Sequence, residues 1–160
     1  MKNNIKIIFF GTPLFASIVL EKLILSNYKP FLVITETDKK ANKNKLKEPE
    51  VKTTAKKYNI DVFQPDTKKE IFDFLKEKEI DIIITCAYGK IIPKNVLDLA
   101  KFGSYNIHPS LLPKYRGPSP IQYTILNGDK ETGVTIFKMN EKMDEGEIII
   151  SKKIDLIGNE

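Results

Sequence analysis

The sequence holds one cysteine, one histidine and one arginine in 160 residues. A single thiol, Cys86, cannot close an internal disulfide, and it rules out a zinc site built from several cysteines. One imidazole, His108, among scattered carboxylates is no metal constellation either. A cytosolic compartment and no metal are therefore expected. No apolar run approaches the length of a membrane span, and the N-terminus has no signal-peptide cleavage pattern. Glycine is missing where nucleotide binding would need it. "FFGTPLFA" has one glycine where a dinucleotide fingerprint has three at set spacing, and no P-loop is present. Internal repeats and low-complexity tracts are absent.

What is present fits one globular domain: 41% hydrophobic residues, 29% charged, and enough length for a real core. The net charge of +5 hints at an anionic partner, but nearly all of it is lysine in a chain also rich in Asn and Ile. That is as readily a bias of composition.

The pattern alternates strands and helices. "IKIIFF" reads as a first strand, and Thr12 then offers an N-cap with Pro13 as first helical residue. Leu14, Ile18, Val19 and Leu23 form a helical stripe up to about Ser26. "FLVITE" is a strand, and "TDKKANKNKLKEPE" a polar loop without periodicity. A helix over about 51–58, the strand "IDVFQ" and an amphipathic helix over 67–78 follow. "IDIIITCA" is a continuous apolar strand of the kind buried in a parallel sheet. Pro93 opens another helix, "GSYNI" is a strand, Ser119 and Pro120 repeat the cap pattern, and "GVTIFKM" and "EIIISKKI" close the chain as strands. Alternation of this kind predicts an α/β fold, doubly wound, with a mainly parallel sheet, helices on both faces and the last strands partly antiparallel. Such sheets place their chemistry at the carboxyl ends of the strands, beside the first strand. "GTP", "AYGKIIP" and "NIHPSLLP" are the segments expected there.

The last of these contains the only histidine, in a stretch stiffened by proline. Asn106 and His108 are two apart, so an extended chain points both to one face. An amide can donate to an oxygen gaining negative charge, and an imidazole can move a proton near neutral pH. Asp144, in the turn "NEKMDEGEI", is a carboxylate that could hold the ring. Donor, acid/base and orienter together suit attack on a carbonyl. The same residues also fit a turn-capping asparagine and a polar loop histidine. "SLLP" (Ser110, Leu111, Leu112, Pro113) could wall a flat ligand or merely pack its loop, and Tyr88 and Gly89 have the same two readings. Cys86 reads as an inert core residue.

"NIHPSLLPKYRGPSPIQ" followed by "NGDKETGVTIFKMNEKMDEGEII" resembles the folate-dependent formyltransferases, which share the Asn-x-His, SLLP and Asp elements. The likeness covers essentially the whole chain. "IIFFGTPLFA" and "GPSPIQ" look most like the branch acting on methionyl-tRNA. The resemblance implies a Rossmann-like catalytic domain over 1–160, shortened at its C-terminus and without the β-barrel domain that follows in relatives. It implies formyl transfer from 10-formyltetrahydrofolate to the amino group of methionyl initiator tRNA, by a cytoplasmic, non-membrane protein expected to be a monomer. By the same likeness Asn106, His108 and Asp144 are the catalytic trio, and Ser110, Leu111, Leu112, Pro113, Tyr88 and Gly89 belong to the folate site. The loop that touches the tRNA acceptor end in relatives usually reads Gly-Arg-Gly-Lys; here it is Asn42-Lys43-Asn44-Lys45. Asparagine tolerates left-handed backbone, and lysine keeps the charge but loses the bidentate fork. Lys43 and Lys45 are thus the tRNA-binding expectation. A sugar-nucleotide formyltransferase would need no basic RNA loop; residues 38–57 carry eight lysines against three acids. A folate-binding module without turnover is the third reading.

Overall fold

The computed structural model describes residues 5–40 and 46–158. Lys43 and Lys45 lie outside the described residues. The chain divides into two compact units, Met1–Ser104 and Tyr105–Glu160.

The first unit contains β1 (Ile7–Gly11), α1 (Leu14–Leu25), β2 (Leu32–Ile34), two-residue strands β3 (Lys39–Lys40) and β4 (Leu46–Lys47), α2 (Glu50–Lys57), β5 (Asp61–Phe63), α3 (Lys68–Leu75), β6 (Ile82–Cys86) and α4 (Lys94–Leu97). Its strands run β5-β2-β1-β6, all parallel, with Phe9 opposite both Val33 and Ile84. The chain steps outward from β1 to β2 to β5, then returns to the other side of β1 as β6. Helices α1 and α2, on the outward steps, pack against each other, and the right-handed rule for parallel crossovers assigns α3, on the return, to the opposite face. This is the doubly wound arrangement that the sequence predicts. Ile8, Phe9 and Phe10 are fully buried, as a strand covered on both faces must be.

Local details differ from the sequence reading. Pro13, not Thr12, occupies the N-cap position of α1 and makes no side-chain capping bond. Thr12 Oγ1 instead donates to the carbonyl of Tyr88 at 2.7 Å. The stripe of α1 is turned as well: Leu14 and Ile18 are exposed, while Ala16, Ser17 and Leu20 are buried. Small residues face inward because the helix lies close to its neighbours. A β-carbon on Gly11 would come within 2.8 Å of Ala16 Cβ, and Ser17 Oγ meets Thr54 Oγ1 of α2 at 2.7 Å. The lysine-rich loop is not wholly irregular, since β3 and β4 pair antiparallel. Helix α3 stops at Leu75, short of 78, and starts with a reciprocal cap: Thr67 Oγ1 accepts from the Glu70 backbone and donates to its carboxylate.

The second unit holds β7, which spans Ser104–His108 and so begins on the last residue of the first unit, then α5 (Pro120–Leu126), β8 (Glu131–Lys138) and β9 (Ile148–Asp155). β7 pairs antiparallel with β8, and β8 with β9, so the last strands are antiparallel as expected. Ser119 is at the N-cap of α5 and Pro120 at its first turn, though the serine makes no capping bond. Phe137 and Thr135 are the buried centre of β8.

Candidate active site

Asn106 and His108 lie in β7, opposite Phe137 and Thr135 of β8. Strand alternation puts both side chains on the face that buries Phe137 and Thr135. Asn106 is therefore mid-strand and caps no turn. His108 is the last strand residue and is 4% exposed.

Two polar groups among the described residues flank its ring. Nε2 lies 2.8 Å from the backbone carbonyl of Tyr115, which can only accept, so Nε2 carries a proton and donates. Nδ1 lies 3.8 Å from Asp144 Oδ2. That distance is beyond a direct hydrogen bond and within reach of one bridging molecule. Nδ1 is thus the nitrogen left without a protein hydrogen bond among the described residues, with the Asp144 carboxylate beside it. Asp144 sits in the turn between β8 and β9 with φ 52°, a conformation that Asp tolerates better than most residues. Its Oδ2 accepts the backbone N–H of Gly117 at 2.7 Å, and next to it Arg116 meets Glu145 at 3.1 Å. The proline-rich segment and the acidic turn are thereby tied at two adjacent positions. The oxygen of the Asn106 amide is buried with no hydrogen-bond partner among the described residues. That oxygen can only accept, so it leaves room for a donor from water or a bound molecule.

Ser110 to Pro113 follow directly. Ser110 is buried and its hydroxyl donates to Lys114 O at 2.6 Å. Thr135, the strand partner of His108, donates to Ser110 O at 2.7 Å and accepts from the Leu112 N–H at 3.1 Å. One buried threonine thus pins the loop from beneath. Leu111 lies over Gly133, where any β-carbon would overlap its side chain. Tyr88 and Gly89 belong to the first unit, just past β6. Tyr88 is buried edge-on against Phe10 with ring centroids 5.1 Å apart. Burial, and then the Glu36 carboxylate, push its hydroxyl up to about 12. Cys86 is fully buried, and burial alone pushes its thiol up to about 12, which fits an inert core residue.

The sequence reading did not single out Thr135, Gly117 or Tyr115. Thr135 and Gly117 act through strand pairing and a backbone N–H, which leave no mark in a motif. The carbonyl of Tyr115 is equally silent.

Residues 4–160 match the formyl transferase family description. The chain belongs to that family. It is similar to the methionyl-tRNA formyltransferase of Kosmotoga olearia, with 49% identity over 94% of this chain and 50% of that protein. The corresponding protein of Thermotoga maritima is 45% identical over 94% of this chain and 49% of its own length. The chain thus spans about half the length of these relatives. Among solved structures, phosphoribosylglycinamide formyltransferase from Bacillus halodurans shares the fold, with a TM-score of 0.77 at 24% identity over 97% of this chain and 82% of that one. The sugar 3N-formyl transferase WlaRD, solved with dTDP and 5-N-formyl-THF, gives a TM-score of 0.66 at 28% identity over 96% of this chain and 53% of that one.

Proposed function

We propose that this chain is the part of a methionyl-tRNA formyltransferase that carries the chemistry, and that it moves a formyl group from 10-formyltetrahydrofolate to the amino group of methionyl initiator tRNA. The observation that carries this reading is His108 held between the Tyr115 carbonyl and Asp144, with Asn106 on the same strand face. The likeness to the Kosmotoga and Thermotoga proteins supports the tRNA substrate. In this reading the amine attacks the formyl carbon and a new C–N bond forms. The carbonyl oxygen becomes an oxyanion, and the Asn106 amide donates to it. The attacking nitrogen loses a proton and N10 of the folate gains one as the old C–N bond breaks. His108 relays that proton through Nδ1, and Asp144 stabilises the charged ring while it does so. Ser110, Leu111, Leu112, Pro113, Tyr88 and Gly89 are the residues proposed to meet the folate, and Lys43 and Lys45 the tRNA. This role places the protein in the cytoplasm with the translation machinery.

The test is to incubate the intact protein with 10-formyltetrahydrofolate and either methionyl initiator tRNA or an amino-sugar nucleotide. Formylation of the tRNA alone supports the proposal. Formylation of the sugar alone would replace it with a sugar-nucleotide formyltransferase. Folate binding with neither product would leave a binding module.

A further inference from the structure

Tyr115 has φ 56°, a left-handed conformation that residues bearing a β-carbon adopt rarely. That backbone carries the carbonyl that meets His108 Nε2 at 2.8 Å. Nothing in the local sequence favours it, because tyrosine has no short polar side chain to stabilise left-handed backbone. The half-buried side chain is instead held by its neighbours. Its hydroxyl donates to Asp129 Oδ2 and accepts from Asn127 Nδ2, each at 2.8 Å. The Lys114 ammonium stands 4.9 Å from the ring centroid and reaches the same Asp129 oxygen at 2.7 Å. Tyr123 of α5 lies nearly parallel to the ring, at 17° and 6.2 Å between centroids. Tyr123 and Asn127 are one helical turn apart, so a single side of α5 and its C-terminus grips both ring and hydroxyl.

We propose that Tyr115 is a positioning residue for His108. Its clamped side chain holds a backbone turn that would otherwise relax to negative φ and swing the carbonyl away. With the carbonyl in place, the imidazole has one orientation, and Nδ1 faces Asp144. Without it, the ring can turn over about its Cβ–Cγ bond, which puts a carbon where Nδ1 stood and breaks the proton path. This inference rests on the reading of His108 as the acid/base of formyl transfer.

The experiment uses histidine-selective ¹⁵N labelling of the intact protein, with His108→Gln to assign the His108 signals. In Tyr115→Ala, the Hε2 signal broadens or disappears and the two ring nitrogens move toward averaged shifts. The kcat falls about tenfold to a hundredfold, the scale of a small misplacement of a reacting group, while KM for the formyl donor stays within about twofold. Tyr115→Phe keeps the ring contacts and loses only the hydroxyl bonds, so it recovers part of the lost rate and part of the signal. A folded Tyr115→Ala protein with unchanged His108 signals overturns the inference. Should that variant not fold, unchanged signals and kcat in Tyr115→Phe overturn it equally. If His108→Gln keeps the parent kcat, the role given to His108 fails, and the spectra still decide whether Tyr115 orients the ring.

Discussion

Gly117 donates its backbone N–H to Asp144 Oδ2 at 2.7 Å, and that same oxygen is the one 3.8 Å from His108 Nδ1. The carboxylate is therefore oriented by a bond that does not involve the histidine. In the proposed mechanism it would stay in place while the ring gains and loses its proton, as an orienting group must.

Asp144→Asn should keep the hydrogen bond from Gly117, because the amide oxygen still accepts, yet remove the negative charge. The expected result is a fall in kcat of about 10²–10⁴, the usual range for acid/base groups, with folate affinity little changed. His108→Ala should lie in the same range. Single-turnover formylation with calorimetry of folate binding separates the two quantities. Equal losses of rate and affinity would mean that Asp144 builds the pocket and does not assist the chemistry.

Gly117 has φ 97°, and a β-carbon there would meet nothing within 4 Å among the described residues. Gly117→Ala is thus a test of backbone strain without a clash. Stability should fall by about 1–3 kcal/mol, the cost of holding a side-chain residue in that region. If the loop relaxes to avoid the strain, the N–H leaves Asp144 and kcat falls too. Urea denaturation together with kcat reads both effects.

The doubly wound fold was legible because each signal repeats: apolar runs of strand length, alternating with helical stripes. The pairing of Asn106 with His108 was legible because strand alternation is local, and Asp144 because the turn around it belongs to a recognisable pattern. The face of α1 was not. Leu14 and Ile18 looked like its core, but close approach to Gly11 and α2 selects the small residues Ala16 and Ser17. Thr12 looked like a cap because the motif is short; a carbonyl far along the chain, that of Tyr88, takes its hydroxyl instead. The support of His108 by Tyr115 depends on one left-handed residue, which no periodicity announces.

Lys43 and Lys45 belong to a segment with eight lysines against three acids over residues 38–57. Each lysine that neutralises a tRNA phosphate releases a counterion, so the logarithm of affinity falls with the logarithm of salt by roughly 0.7–0.9 per contact. Changing both to Ala should lower the slope by about 1.4–1.8 and leave folate binding alone. Filter binding of methionyl initiator tRNA across salt concentrations measures it. An unchanged slope would remove these two residues from the tRNA contact and strengthen the sugar-nucleotide alternative.

Cys86 and Tyr88 give the first unit a sensitivity to alkali. Burial raises the Cys86 thiol from 9.0 to about 12, and burial with the Glu36 carboxylate raises the Tyr88 hydroxyl from 10.0 to about 12. Between pH 9 and 12 the unfolded chain therefore loses these protons while the folded chain keeps them. The folded state then binds more protons than the unfolded one, so stability falls as pH rises. Below the unfolded pKa values the contribution is complete; it declines through the window and is lost above the folded values. For Cys86 the steepest slope is about 1.4 kcal/mol per pH unit. Lysine ion pairs also weaken in this range, so the useful comparison is between variants. Cys86→Ala should lose less stability than the parent protein between pH 8.5 and about 11, measured by urea denaturation at each pH. The thiol should also resist alkylation in the folded protein at pH about 8.5 and react promptly in urea. Rapid alkylation under native conditions would show that the strand end bearing Cys86 opens readily to solvent.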